Sequence, residues 1–168
     1  MLIICGSPVW LNEGFATYAE WLWGEEEGFG TAQETFDFLY DAVFPAESPF
    51  WELTIGDPGP DALFAGAVYV RGAMTLHRLR VRIGDDDFFR LLRRWARDKA
   101  GENVTTKEFV RLAERVSGQE LDRFFTRWLL TPSRPDLPTA SSVTSAPRTT
   151  TPFVDQLVGR RDQAQLRH

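Results

Sequence analysis

The chain has 168 residues, 43% of them hydrophobic and 26% charged, so it is long enough to bury a core and has the composition of a globular domain. A single cysteine excludes an internal disulfide framework, and the formal net charge of -5 excludes the basic footprint of a nucleic-acid-binding protein. No apolar stretch has the length of a membrane span and no signal-peptide pattern is present, which predicts a cytoplasmic protein unless a leader precedes Met1.

The first predicted helix covers residues 12–23. Apolar residues recur at helical spacing from Phe15 to Trp23, and Gly24 is expected to end the helix. Glu13 would then lie in the first turn, where a carboxylate is favoured by the helix macrodipole. Taken as an isolated residue, Glu13 is more often such a helix N-terminal carboxylate than a metal ligand.

A capping box of Thr31 and Glu34 predicts the start of the second helix, whose apolar stripe runs from Phe36 to Val43. Residues 45–60 contain four prolines and two glycines. Because such a composition cannot propagate a helix, this stretch is predicted to be an irregular loop.

Four further helices are predicted before the apolar periodicity ends. The third runs from about residue 61 or 65 to Ile83, with Gly66 and Gly72 weakening its early part. The others are predicted over 86–99, over 105–117 with Gly118 at its end, and from 119 or 120 to 131. No convincing strand pattern is present, so the predicted fold class is all-α with about six helices.

From Thr131 onward Ser, Thr and Pro dominate the sequence. A chain of this composition cannot bury enough apolar surface to offset its conformational entropy. Residues 131–168 are therefore predicted to form a mostly disordered tail.

Two short motifs stand out from the helical pattern. The first is the run from Trp10 to Leu22, which contains Asn12-Glu13-Gly14-Phe15-Ala16 and, seven residues after Glu13, Glu20. The second is the run from Ala67 to Leu76, which contains Tyr69-Val70-Arg71-Gly72. A carboxylate is a hard oxygen ligand of the type that completes a zinc site, whereas a lone Tyr on an amphipathic helix is more often a core residue.

These runs resemble the zinc aminopeptidases of the aminopeptidase N type, which are gluzincins, over about residues 9–132. The resemblance implies the helical half of a thermolysin-like catalytic domain and a function of removing N-terminal residues from peptides. It assigns Glu13 as a zinc ligand and Tyr69 as the phenol that donates to the oxyanion of the tetrahedral intermediate. Glu20 is either a supporting residue that orients a metal ligand or a solvent-facing Glu, and its spacing does not decide between the two.

One departure from the family concerns the remaining zinc ligands. In similar enzymes an HExxH helix supplies two His ligands and a general base roughly eighteen residues before the ligand Glu, but only 12 residues precede Glu13. The chain has two histidines. His77 has no partner at ligand spacing and is interpreted as an ordinary helix residue, while His168 ends the predicted tail. The family's Gly-x-Met-Glu-Asn segment for the substrate amine also resembles nothing here.

The sequence therefore predicts a truncated, catalytically incomplete member of this family. Residues 1–8 would be an unrelated segment, residues 9–130 the helical part of the catalytic domain, and residues 131–168 the tail. The expected cofactor is zinc, with one ligand from this chain, and the expected partners are peptide substrates, a complementary N-terminal half or a second copy. The alternative is a non-catalytic α-helical binding module derived from the same fold.

Overall fold

The structure is a computed structural model that describes residues 9–99 and 103–137. Over these ranges the chain is helical and contains no strand, which confirms the predicted all-α class. Short 3-10 turns at Pro49–Trp51 and Pro60–Ala62 interrupt the connection before the third helix. The six helices are α1 (Val9–Glu26), α2 (Ala32–Asp37, continued by a π-helix over Phe38–Val43), α3 (Gly66–Ile83), α4 (Asp85–Asp98), α5 (Thr106–Ser117) and α6 (Asp122–Phe125, continued by a π-helix over Thr126–Leu130).

Helix α1 does not end at Gly24, as its sequence predicted, but continues to Glu26. The amide of Phe29 donates to the carbonyl of Gly24 at 2.9 Å, and that of Gly28 to Glu25 at 3.3 Å. This is the Schellman arrangement, in which Gly28 at φ 78° supplies the left-handed residue. The helix continues through Gly24 because a single Gly inside a helix costs only about 1 kcal/mol, and tertiary packing outweighs this cost.

The two capping boxes expected from the sequence are both formed. The Thr31 hydroxyl accepts from the amide of Glu34 at 3.1 Å, while the Glu34 carboxylate accepts from the Thr31 amide at 2.7 Å. Thr105 and Glu108 repeat the arrangement at the start of α5, with distances of 3.3 and 2.9 Å. These local signals fix the starts of α2 and α5 as predicted.

Helix α3 lies at the centre of the fold, in contact with α1, α2, α4 and α6. Every residue from Arg71 to His77 is buried, so this part of α3 is enclosed on all sides. The main core fills the space between α1, α3, α4 and α5 with aromatic rings in edge-to-face contact, such as Trp10 against Phe109 at 6.3 Å.

The first residues of the predicted tail pack against the helices. The hydroxyl of Tyr40 donates to the carbonyl of Pro135 at 2.5 Å, and the Arg134 guanidinium lies over the Tyr40 ring at 4.3 Å. The packed part of the chain thus continues past residue 130, where the domain was predicted to end. The rest of the predicted tail, 138–168, and the predicted N-terminal segment, 1–8, lie outside the described residues. Among the helices described, none is both long and apolar enough to cross a membrane.

Candidate active-site helix pair

Helices α1 and α3 make backbone contact where Gly14 meets Gly72. A Cβ atom added to Gly14 would lie 2.7 Å from the carbonyl carbon of Gly72. A Cβ added to Gly72 would lie 2.8 Å from the carbonyl oxygen of Trp10 and 2.9 Å from the Cα of Gly14. Because the atoms in the way belong to the backbone, only glycine at both positions permits this approach.

This contact joins the two motifs that the sequence separates. Glu13 immediately precedes Gly14, and Tyr69 lies three residues before Gly72 on α3, or about 4.5 Å along the helix axis. Both residues are therefore fixed relative to one point of contact between two helices, rather than carried by loops. Sites on packed helices hold their side chains more rigidly than sites on loops.

Glu13 is the fifth residue of α1 and not part of its first turn, which corrects the sequence prediction. Its side chain is half-buried and forms no hydrogen bond or ion pair within residues 9–99 and 103–137. An interaction with the helix macrodipole decays within the first turn, so it does not explain this carboxylate. Both carboxylate oxygens are left available for a ligand.

The other two predicted site residues differ in exposure. Tyr69 is half-buried against the main core, and its hydroxyl has no hydrogen-bond partner in the described part of the chain. Glu20 lies two turns after Glu13 on α1 and is exposed, again without a described partner. The phenol of Tyr69 is thus free to donate, while the exposure of Glu20 is compatible with either of its two interpretations.

His77 is buried in a polar network and not available as a metal ligand. Its Nε2 lies 2.9 Å from Oε1 of Gln33 and its Nδ1 lies 3.3 Å from the Tyr18 hydroxyl. Since an amide oxygen only accepts, Nε2 carries the proton and Nδ1 accepts from Tyr18. Burial, reinforced by the positive charges of Arg80 and Arg78, lowers the pKa of His77 to about 3.

This depressed pKa makes stability depend on pH. The folded protein keeps His77 neutral, whereas the unfolded chain protonates it near its ordinary pKa of 6.5. The contribution of neutral His77 to the free energy of unfolding is therefore fully present above pH 6.5. It is lost as the pH falls towards 3, by up to about 1.4 kcal/mol per pH unit. We expect urea unfolding curves at pH 7, 6, 5 and 4 to show a smaller loss for His77→Gln than for the wild type. Parallel losses in the two proteins would contradict the assignment.

Arg71 is a buried residue whose role the sequence did not reveal. Its guanidinium is 0% exposed and donates to four backbone carbonyls. One terminal nitrogen donates to Trp51 at 2.9 Å and Leu53 at 3.0 Å, and the other to Thr131 at 2.7 Å and Arg127 at 3.4 Å. Backbone carbonyls leave no signature in a sequence, which is why no pattern predicted these contacts. Arg71 ties the 45–65 connection and the end of α6 to the helix that carries Tyr69.

The described residues do not form a complete metal site. No three side chains of the His, Cys, Asp or Glu type converge within the ranges described. The Glu13 carboxylate is of the right chemical type for zinc and forms no other bond among the described residues. His77, the only histidine in the described ranges, is already hydrogen-bonded to other side chains. A zinc ion held by Glu13 would need further ligands from other residues.

A sequence-family model described as "Peptidase family M1 domain" matches residues 7–128 of the chain. Aminopeptidase N of Lactococcus lactis subsp. lactis is 26% identical over 136 residues, which are 76% of this chain and 16% of that protein. Aminopeptidase N of Streptomyces lividans is 29% identical over 137 residues, covering 74% of this chain and 16% of that protein. The chain thus spans about a sixth of the length of these curated relatives.

Solved structures show the same similarity in three dimensions. The crystal structure of an M1 zinc metallopeptidase from Deinococcus radiodurans superposes with a TM-score of 0.63 at 28% sequence identity. The superposition covers 83% of this chain and 30% of that chain. The helices described above therefore correspond to one part of a larger fold, and this agrees with the helical half predicted from the motifs.

Proposed function

We propose, on the premise that this chain belongs to peptidase family M1, that residues 9–130 form the helical part of the catalytic domain of a zinc aminopeptidase. Membership of this family confirms the resemblance predicted from the two motifs and implies zinc as the metal. The proposed substrates are peptides, from which the complete catalytic site removes N-terminal residues.

The observation that carries the proposal is the glycine contact between α1 and α3. It brings the Asn12-Glu13-Gly14 and Tyr69-Val70-Arg71-Gly72 motifs together, and it leaves Glu13 and Tyr69 without protein partners in the described chain. Two half-buried polar side chains that no other described residue engages, both beside one rigid helix contact, are available to act together on a ligand.

In this proposal Glu13 is one zinc ligand, and the two His ligands are supplied by a part of the catalytic domain that this sequence does not contain. Zinc held at this site would polarise a peptide carbonyl and lower the pKa of a water molecule. Tyr69 donates a hydrogen bond to the oxygen on which negative charge develops, and the rigid packing of α3 holds the phenol ready to do so. Glu20, two turns from Glu13 on the same helix, is proposed to orient another ligand side chain.

A chimaera tests these roles in a setting where the rest of the site is present. The aligned part of the Deinococcus radiodurans enzyme is replaced by the matching residues of this chain, and zinc content and hydrolysis of aminoacyl chromogenic substrates are measured. We expect a chimaera that binds zinc and hydrolyses the substrates. Glu13→Gln should lower the zinc content, whereas Tyr69→Phe should retain zinc and lower kcat by about 10²–10³.

Glu26→Gln is the matched control, because Glu26 lies on the same helix and is exposed without a described partner. It should leave zinc and activity unchanged. If Glu13→Gln kept the zinc content of its parent, the ligand assignment would be wrong. Unchanged kcat in Tyr69→Phe would equally remove the proposed oxyanion role.

A further inference from the structure

A buried hydrogen bond ties the start of α1 to α5. The indole Nε1 of Trp10 donates to the hydroxyl of Thr106 at 2.9 Å, across 96 residues of sequence, and both residues are 0% exposed. Thr106 is the first residue of α5, whose start is fixed by the capping box of Thr105 and Glu108. The hydroxyl of Thr106 is not part of that box, so its bond to Trp10 serves the contact between the two helices rather than the start of α5.

Aromatic packing at the same place supports the turn of α1 that carries Glu13. Trp10 precedes Glu13 by three residues and Phe15 follows it by two. Both rings meet the ring of Phe109 of α5, at centroid distances of 6.3 and 5.7 Å and interplanar angles of 73° and 89°. Phe109 is itself 0% exposed and lies against Trp95 of α4 at 5.2 Å. The turn therefore rests on α5 through two rings and one hydrogen bond.

The glycine contact and the Trp10 hydrogen bond restrain different motions of α1. Gly14 against Gly72 sets the distance between α1 and α3, because their backbones touch. Two glycines present no side chain, however, that would oppose rotation of α1 about its own axis. A hydrogen bond is directional, and the bond from Trp10 to Thr106 runs to a third helix. It therefore opposes the rotation that the glycine contact permits.

Rotation of α1 bears directly on Glu13. With 3.6 residues per turn, Trp10 lies about 4.5 Å before Glu13 along the helix axis and about 60° around it. A side chain ends about 5–6 Å from the axis of its helix, so a rotation of about 10° would move the Glu13 carboxylate by about 1 Å. A displacement of this size is functionally costly, since a ligand group has to be held to within about 0.5 Å of its working position.

We propose that Thr106 is a positioning residue for the Glu13 carboxylate and acts through Trp10. This role rests on the proposed function, in which Glu13 is a zinc ligand. Thr106 touches neither metal nor substrate. Its hydroxyl holds the indole of Trp10, and the indole fixes the rotation of the turn that carries Glu13. No sequence motif indicates this role, because the two bonded residues lie 96 positions apart.

The first measurement determines the orientation of α1 in the full chain from residual dipolar couplings of its backbone amides. Thr106→Val removes the acceptor at nearly constant volume and should rotate α1 relative to α3 by about 10° or more. Thr106→Ser keeps a hydroxyl and should retain the wild-type orientation. Thr75→Val is the matched control, because Thr75 is equally buried but its hydroxyl donates to Arg71 of its own helix. No rotation in Thr106→Val, or the same rotation in Thr106→Ser or Thr75→Val, would overturn the proposal.

Trp10→Phe tests the route from the other end of the bond and does not require the Thr106 variant to fold. It keeps a ring against Phe109 but removes the donor, so it should cause the same rotation as Thr106→Val. In the double variant the two effects should not add, since each substitution breaks the same bond. Additive rotations would show that Thr106 acts by another route and would overturn the proposal.

The second measurement determines the zinc affinity of the chimaera described above, with Glu13→Gln as the reference. We expect Thr106→Val to raise the dissociation constant for zinc about tenfold, Thr106→Ser to restore it and Thr75→Val to leave it unchanged. If Glu13→Gln weakens zinc binding and Thr106→Val does not, the positioning role is wrong while the proposed ligand stands. If Glu13→Gln itself has no effect, the proposed function fails and the positioning role fails with it.

Discussion

Gly72→Ala is expected to destabilise the protein by about 3 kcal/mol, since its Cβ would lie 2.8 Å from the carbonyl oxygen of Trp10. The clash involves backbone atoms of a second helix, so no side-chain rotation relieves it, and α1 and α3 must move apart. That separation would also loosen the main core between these helices. Thermal or urea unfolding followed by tryptophan fluorescence measures the loss, and Gly14→Ala should produce a loss of similar size.

Two other glycines in the same helices provide matched controls. A Cβ on Gly24 of α1 or on Gly66 of α3 would meet nothing within 4 Å. Gly24→Ala is expected to stabilise the protein by about 0.5–1 kcal/mol, because alanine loses less conformational entropy in a helix. Gly66→Ala should not destabilise. If Gly72→Ala were as stable as Gly66→Ala, the close backbone contact would not exist.

These glycines also show where sequence reasoning succeeded and where it could not. The capping boxes at Thr31 and Thr105 were predicted because both partners lie within one helical turn. The sequence predicted only that Gly72 weakens α3. Helix propensity describes the free-energy cost of a glycine within its own helix, but not its contact with another helix. Its close approach to Gly14 depends on a helix far away in the sequence, and periodicity has no access to such a contact.

The sequence motifs propose the residues of the candidate site but not their arrangement. Glu13 and Tyr69 were chosen because the motifs around them resemble one family, not because spacing or polarity singled them out. Their proximity to one helix contact emerges only when Gly14 and Gly72 are seen to touch. His77 is the converse case. Its spacing in the sequence argued against a metal role, whereas its hydrogen bonds to the Tyr18 hydroxyl and to Gln33 are visible only in the fold.

Arg71→Met is the substitution expected to have the largest effect on stability, with a loss of about 3–4 kcal/mol. The guanidinium is fully buried and serves four carbonyls, including those of Trp51 and Thr131, with no carboxylate among its bonded partners. Methionine fills a similar volume but leaves the four acceptors without donors, and each buried group left unpaired is costly. Burial lowers the pKa of Arg71 to about 10, so the side chain remains charged at neutral pH and its bonds are charge-assisted.

Arg71→Lys separates the contribution of charge from that of geometry. Lysine keeps the positive charge but presents all its donors from one atom. It therefore cannot reach the carbonyls that the two separate terminal nitrogens of the guanidinium contact. We expect it to recover only part of the loss, while Arg82→Met, at an exposed position on the same helix, should change stability by about 0.5 kcal/mol or less. The unfolding free energies of the three variants distinguish the contribution of charge from that of geometry. Full recovery by lysine would mean that charge alone matters, and that the four-carbonyl geometry does not hold the 45–65 connection and α6 against α3.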